Sequence, residues 1–197
     1  TKKLKIGYKF GLEFINSKNG RIFISKLKNK IIFIDIKLND IPNTCVSALR
    51  AIKDLKADYL TIHISSGLKA LKATKKASNK TKIVGVTTLT SIDSHSLKQI
   101  GYDKKIRKLV YHQAKLAKKA NLDAIVCSAQ EAKNVKKIFK KQIITPGIRF
   151  NSNNNDQKRV MSPKEAFENG ATSLVMGRSL LKGNLRRNIF KLAEQLK

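Results

Sequence analysis

IIFIDIKLNDIPNT, residues 31–44, is the stretch on which the fold turns. Ile31, Ile32, Phe33 and Ile34 make an apolar, β-branched run of the kind found in a strand buried on both faces. Asp35, Lys37 and Asp40 then follow within six positions. Asp35 and Lys37 are two apart, so on a strand they share a face. Asp40 lies just past the strand, and Pro42 suits the first turn of a following helix. A cation flanked by carboxylates at the C-terminal end of a buried strand is costly to fold, and such arrangements gather at functional sites. The plainer alternative is a salt-bridged strand end with Asp40 as a helix cap.

Outward from this stretch, strand and helix patterns alternate. Short apolar strands are predicted over residues 2–7, 31–36, 59–64, 82–88, 123–127, 142–145 and 173–176. Helices are predicted over 20–30, 42–56, 68–78, 103–120, 128–139, 162–169 and 184–196, with Ser128-Ala-Gln-Glu131 matching a capping box. Alternation of this kind means βα units and a parallel sheet. No G-x-G-x-x-G follows the first strand, which weighs against a dinucleotide fold. The polar motifs fall after strand ends, as in an α/β TIM (β/α)8 barrel, whose site lies on the C-terminal face. About seven strands are present, so one strand is expected to be missing at the N-terminus. The expectation is a single barrel domain over 1–197, N-terminally incomplete.

Of the 197 residues 41% are hydrophobic and 28% charged, enough for a substantial core. No apolar run approaches the roughly 20 residues of a membrane helix, and the chain does not open on a secretory signal pattern. Cys45 and Cys127 lack metal-ligand spacing and suit reduced thiols of a cytoplasmic protein. The net charge of +29 comes mostly from lysines spread along the whole chain. A compositional drift toward Lys, Ile and Asn accounts for this better than a nucleic-acid face does, although a cationic surface would also draw in a small anionic substrate.

Other candidates are local. Lys5 lies in Leu-Lys-Ile-Gly near the end of the first strand. Gly177-Arg178 follows the last strand, where barrels often bind phosphate through backbone N–H groups and a cation; an arginine suits bidentate phosphate contacts. Thr145-Pro-Gly-Ile-Arg149 sets Arg149 on the rim, and the Asn-rich loop from Phe150 to Gln157 suits a lid. Thr90 stands beyond the 82–88 strand. His63 ends a strand, and no metal-ligand set is present.

FIDIKLNDIPNT, VTTLTS, VCSAQE, TPGIR, DQKRVMSP and VMGR occur in this order along essentially the whole chain. Together they resemble the orotidine 5′-phosphate decarboxylase family in its bacterial form. The resemblance implies a cofactor-free, metal-free carboxy-lyase of pyrimidine biosynthesis, acting as a homodimer with shared sites and with no membrane or specific nucleic-acid partner. Lys37 would protonate C6 of the pyrimidine, Asp35 would lie beside the departing carboxylate, and Lys5 would join the same charged row. Asp40 and Thr44 would act in the neighbouring subunit's site, with Ile41, Pro42 and Asn43 beside the substrate. Thr90 would contact the pyrimidine, and Arg149, Gln157, Gly177 and Arg178 the phosphate. The family's opening strand, with its ribose-binding Asp, would precede Thr1, which makes an inactive truncated copy an alternative. Ser179 stands where the family usually has Pro. A Mg-dependent sugar-phosphate decarboxylase or aldolase of the same superfamily is the other enzymatic alternative, and a basic nucleic-acid binder the non-enzymatic one.

Overall fold

A computed structural model describes residues 4–150 and 161–196. Seven strands and ten helices occur among them. The first half runs β1 (Gly7–Gly11), α1 (Leu12–Asn16), α2 (Gly20–Lys26), β2 (Ile31–Leu38), α3 (Pro42–Ala51), β3 (Tyr59–His63), α4 (Gly67–Ala77) and β4 (Lys82–Val86). There follow α5 (Ser94–Gln99), α6 (Ile106–Lys119), β5 (Ala124–Val126), α7 (Ala129–Ile138), β6 (Gln142–Thr145), α8 (Pro163–Glu168), β7 (Ser173–Leu174), α9 (Arg178–Leu181) and α10 (Leu185–Gln195). The chain divides into two compact units, one of residues 6–87 with 115–125, the other of the remaining residues.

In the first unit β1, β2, β3 and β4 pair in sequence order, all parallel. Parallel neighbours need crossover helices, which cover the strands and let both faces be apolar. Ile32, Ile34, Leu60, Ile62, Ile83 and Val84 are accordingly buried. Gly85 is required by closeness: a Cβ there would meet Leu122 Cδ1 at 2.7 Å. β1 has no strand on its outer edge among the described residues, and Tyr8, Leu12, Phe14 and Phe23 beside it are exposed.

One clamp recurs at strand starts. Asp58, just before β3, donates its N–H to Ile32 O at 2.9 Å and accepts Ile32 N–H on Oδ2 at 2.8 Å. Asp123, just before β5, does the same to Ile83, at 3.1 and 2.9 Å. In the second unit Thr172, before β7, repeats the pattern on Ile143 with its hydroxyl, both bonds at 2.8 Å. Each clamp satisfies the amide of a strand's second residue and fixes register against the next.

The second unit pairs β6 with β7 in parallel. Its core includes Ala129, Ile148, Ala166 and Ala171, with Met161, Leu174 and Met176 packed against them. The full capping box sits on α8, where Ser162 and Glu165 bond reciprocally behind Pro163. Ser128 caps α7 through Gln130 N–H instead.

The predicted first strand, 2–7, falls too early. Residues 4–6 are irregular and β1 begins at Gly7, because Tyr8 and Phe10 supply the aromatic β-formers that the lysine-rich start lacks. Three short helices, α1, α5 and α9, were not expected; each has six residues or fewer, too short for helical periodicity to show. No helix among the described residues is long and apolar enough to cross a membrane.

Candidate active site

β2 delivers Asp35 and Lys37, but not by simple alternation. The β2–β3 register runs Ile34↔Leu60 and then Leu38↔Ile62, so four residues of β2 span two of β3. Within this bulge Lys37 takes φ +49°, the left-handed region that lysine rarely occupies. The result is close contact: Lys37 Nζ lies 3.0 Å from Asp35 Oδ1. Asp35 is nearly buried, at 8% exposure.

The second ammonium on Asp35 belongs to Lys9. Its Nζ donates to Oδ2 at 2.7 Å. Lys9 lies in β1, whose Gly11 is in register with Asp35. Lys5, which the family resemblance assigned to this row, precedes β1 and is exposed. Burial pushes the Asp35 carboxyl up, but the hydrogen bonds and charges of Lys9 and Lys37 outweigh it and hold the group below its usual value. One carboxylate and two ammoniums leave this row with a local surplus of one positive charge.

Two further side chains complete the row. Thr61 Oγ1 donates to Asp35 Oδ1 at 3.2 Å and accepts Lys37 N–H at 2.8 Å. His63 follows two residues on, at the end of β3. Partial burial, then the Lys37 charge, hold its imidazole below the usual histidine value despite Asp35. His63 was noted from sequence as ending a strand; Thr61 was missed, since a threonine inside an apolar strand looks like an ordinary β-former.

Asp40 is exposed and does not cap α3. Its Oδ1 accepts the N–H of Ile41, which is the N-cap residue. Ser66 and Ser65 hold the turn before it by donating to Asn39 Oδ1 at 3.1 and 3.3 Å. The Cys45 thiol donates to Asp40 O. Ile41, Pro42, Asn43 and Thr44 are all exposed at the start of α3, and a hollow runs along Asn39, Asp40, Ile41, Pro42, Ser66 and Lys69.

The second unit holds the remaining candidates. Ser179 Oγ donates to Ile148 O at 3.1 Å, which ties the turn carrying Arg149 to the start of α9 at Arg178. Ser179 thereby has a bond that a proline there lacks the donor to make. Arg149 is half-buried and Arg178 exposed, and neither has a carboxylate partner among the described residues. Gly177 precedes α9, and a Cβ on it would meet nothing within 4 Å. Thr90 is exposed in the turn beyond β4. Buried Gln113 anchors that turn by accepting from Thr88 N–H at 2.9 Å and Thr88 Oγ1 at 3.1 Å. Gln157 and most of the expected lid lie outside the described residues.

Residues 2–189 match the model of the orotidine 5′-phosphate decarboxylase / HUMPS family. Orotidine 5′-phosphate decarboxylase of Wolbachia pipientis subsp. Culex pipiens is 44% identical over 183 residues, covering 89% of this chain and 80% of the relative. That of the Wolbachia of Brugia malayi is 42% identical over 199 residues, covering 98% and 88%. The chain belongs to the orotidine 5′-phosphate decarboxylase family. Among solved structures, the Lactobacillus acidophilus orotidine 5′-phosphate decarboxylase superposes with a TM-score of 0.83 at 28% identity, covering 96% of this chain and 86% of the other. The fold is thus the α/β barrel of the family, as the strand–helix alternation suggested. The D-x-K-x-x-D stretch carries Asp35 and Lys37, and β1 adds Lys9 from outside it.

Proposed function

We propose that this protein converts orotidine 5′-phosphate to UMP, with Lys37 as the proton donor to C6. The bond from C6 to the carboxylate carbon breaks, CO2 leaves, and its electron pair stays on C6. A proton from the Lys37 ammonium then forms the C6–H bond, and the amine regains a proton from water. The observation that carries this reading is the 3.0 Å contact between Lys37 Nζ and Asp35 Oδ1 in a family named for the reaction. A fixed ammonium stabilises charge developing at one carbon without reorganising solvent. Asp35 is the neighbour of the departing carboxylate, and Lys9 takes the place first given to Lys5.

Arg149, Gly177, Arg178 and Gln157 bind the phosphate, whose binding energy organises a site remote from it. Thr90 contacts the pyrimidine. The exposure of Asp40 and Thr44 supports a homodimer in which each acts in the neighbouring subunit's site, with Ile41, Pro42 and Asn43 beside it. The enzyme works in the cytoplasm without a cofactor.

The test is decarboxylation of orotidine 5′-phosphate by the full chain, followed as loss of substrate absorbance and appearance of UMP. Lys37→Ala is expected to abolish turnover, and EDTA to leave wild-type turnover unchanged. Normal turnover in Lys37→Ala overturns the role given to Lys37, and EDTA inactivation favours the metal-dependent branch of the superfamily.

A further inference from the structure

Thr61 is a buried polar group to which the reaction scheme gives no task. It sits on β3 with no exposed surface. Its hydroxyl has one proton and two lone pairs. The proton goes to Asp35 Oδ1, at 3.2 Å, and a lone pair takes Lys37 N–H, at 2.8 Å. The two bonds therefore grip both ends of the tripeptide Asp35-Ile36-Lys37, one by side chain and one by main chain. The grip falls where the chain needs it. Lys37 sits at φ +49° in the bulge, and its amide has the Thr61 hydroxyl as partner in place of a ladder carbonyl. Filling the core does not require a hydroxyl, because valine has nearly the same shape and is an equally good strand former. The neighbours Leu60 and Ile62 are the fully buried apolar residues such a strand calls for.

We infer that Thr61 is a positioning residue: its hydroxyl fixes the left-handed turn at Lys37 and the Asp35 carboxylate together, and so sets the ammonium where the proton is delivered. This rests on the decarboxylase reading above, and it deepens that reading by naming what holds the proton donor in place. Thr61 itself touches no substrate.

The experiment compares wild type, Thr61→Val and Thr61→Ser in the full chain. Thr61→Val is expected to lower kcat by about 10- to 100-fold, the cost of one buried amide left unpaired and one carboxylate donor lost. KM should change less than about threefold, because binding by the phosphate group is untouched. Thr61→Ser, which keeps the hydroxyl, should restore kcat to within about threefold. Wild-type kcat in Thr61→Val, or equal loss in Val and Ser variants, overturns the proposal. Amide hydrogen exchange of Lys37 reads the same grip without activity. The amide should be protected in wild type and in Thr61→Ser and exchange at least about tenfold faster in Thr61→Val. Open-chain exchange at Lys37 in the wild type overturns the proposal even if Thr61→Val does not fold. Wild type with a protected Lys37 amide but no decarboxylation refutes the functional reading and leaves the grip standing.

Discussion

Lys9→Ala and Lys5→Ala, made side by side, separate the lysine that sits on Asp35 from the one that the family resemblance suggested. The Lys9–Asp35 bond is charge-assisted and 2.7 Å long, of a class worth ~1.5–3 kcal/mol. The Lys9 side chain is 34% exposed against 12% for Asp35, so screening brings the value to ~1–2 kcal/mol. If the pair acts in the transition state, Lys9→Ala lowers kcat/KM about 5- to 30-fold. Lys5→Ala should stay within about twofold of wild type. The acid limb of stability gives a second readout. The Asp35 carboxyl is lower in the folded chain than in the unfolded one. The stability this contributes is present above the unfolded value and lost as pH falls through the folded value. Removing Lys9 narrows the gap, so the stability that Lys9→Ala loses on acidification, followed by urea unfolding, should be smaller than in wild type. Equal losses of activity in the two variants, or an unchanged acid limb in Lys9→Ala, would refute the assignment.

Three other outcomes are expected. Asp123→Ala removes the clamp on Ile83 N–H and the partner of Lys75, which Asp123 binds through both oxygens at 2.7 Å; the cost is ~2–4 kcal/mol, lowering Tm by about 5–15 °C in thermal denaturation. Arg178→Ala should raise KM for the phosphorylated substrate about 10- to 100-fold, and unchanged KM and kcat/KM would count against a phosphate role. His63 resists protonation in the folded chain, so the stability it contributes is present above about pH 6.5 and lost as pH falls through its lower folded value. His63→Gln should flatten the unfolding free energy against pH in that window, and an unaltered slope would show that the imidazole does not couple to folding.

How much was legible in the sequence differs from residue to residue. The Ile31 to Ile34 run and the residues after it gave the central strand and the contact of Asp35 with Lys37. The reason offered was incomplete, however: alternation alone does not bring the two together, and the bulge with its left-handed Lys37 is a property of pairing with β3 that a single strand does not display. Thr61 was hidden for the same cause, since its role exists only across two strands. Gln113, which anchors the turn bearing Thr90, lies on α6, far along the chain from its Thr88 partner. Ser179 was recognised as a departure from the family's proline, and its bond to Ile148 O shows what the change provides.

Composition decides which side chains the sequence can single out. Lysines and arginines number 42 and acids 13, so the position of one lysine carries little information and the position of one acid carries much. The acids at strand starts and ends sort by what they hold. Asp58 binds the Ile32 amide and Asp123 the Ile83 amide at the beginnings of β2 and β4, main-chain partners that a folding role requires, and among the described residues the charge of Asp123 is balanced by Lys75 alone. At the other end of β2, Asp35 gathers two ammoniums and a hydroxyl, more donors than burial of one carboxylate demands. The surplus of positive charge left there has no partner within the row and suits an anionic group arriving from outside. That division, register at one end of a strand and unbalanced charge at the other, is what barrels whose loops carry the chemistry would produce.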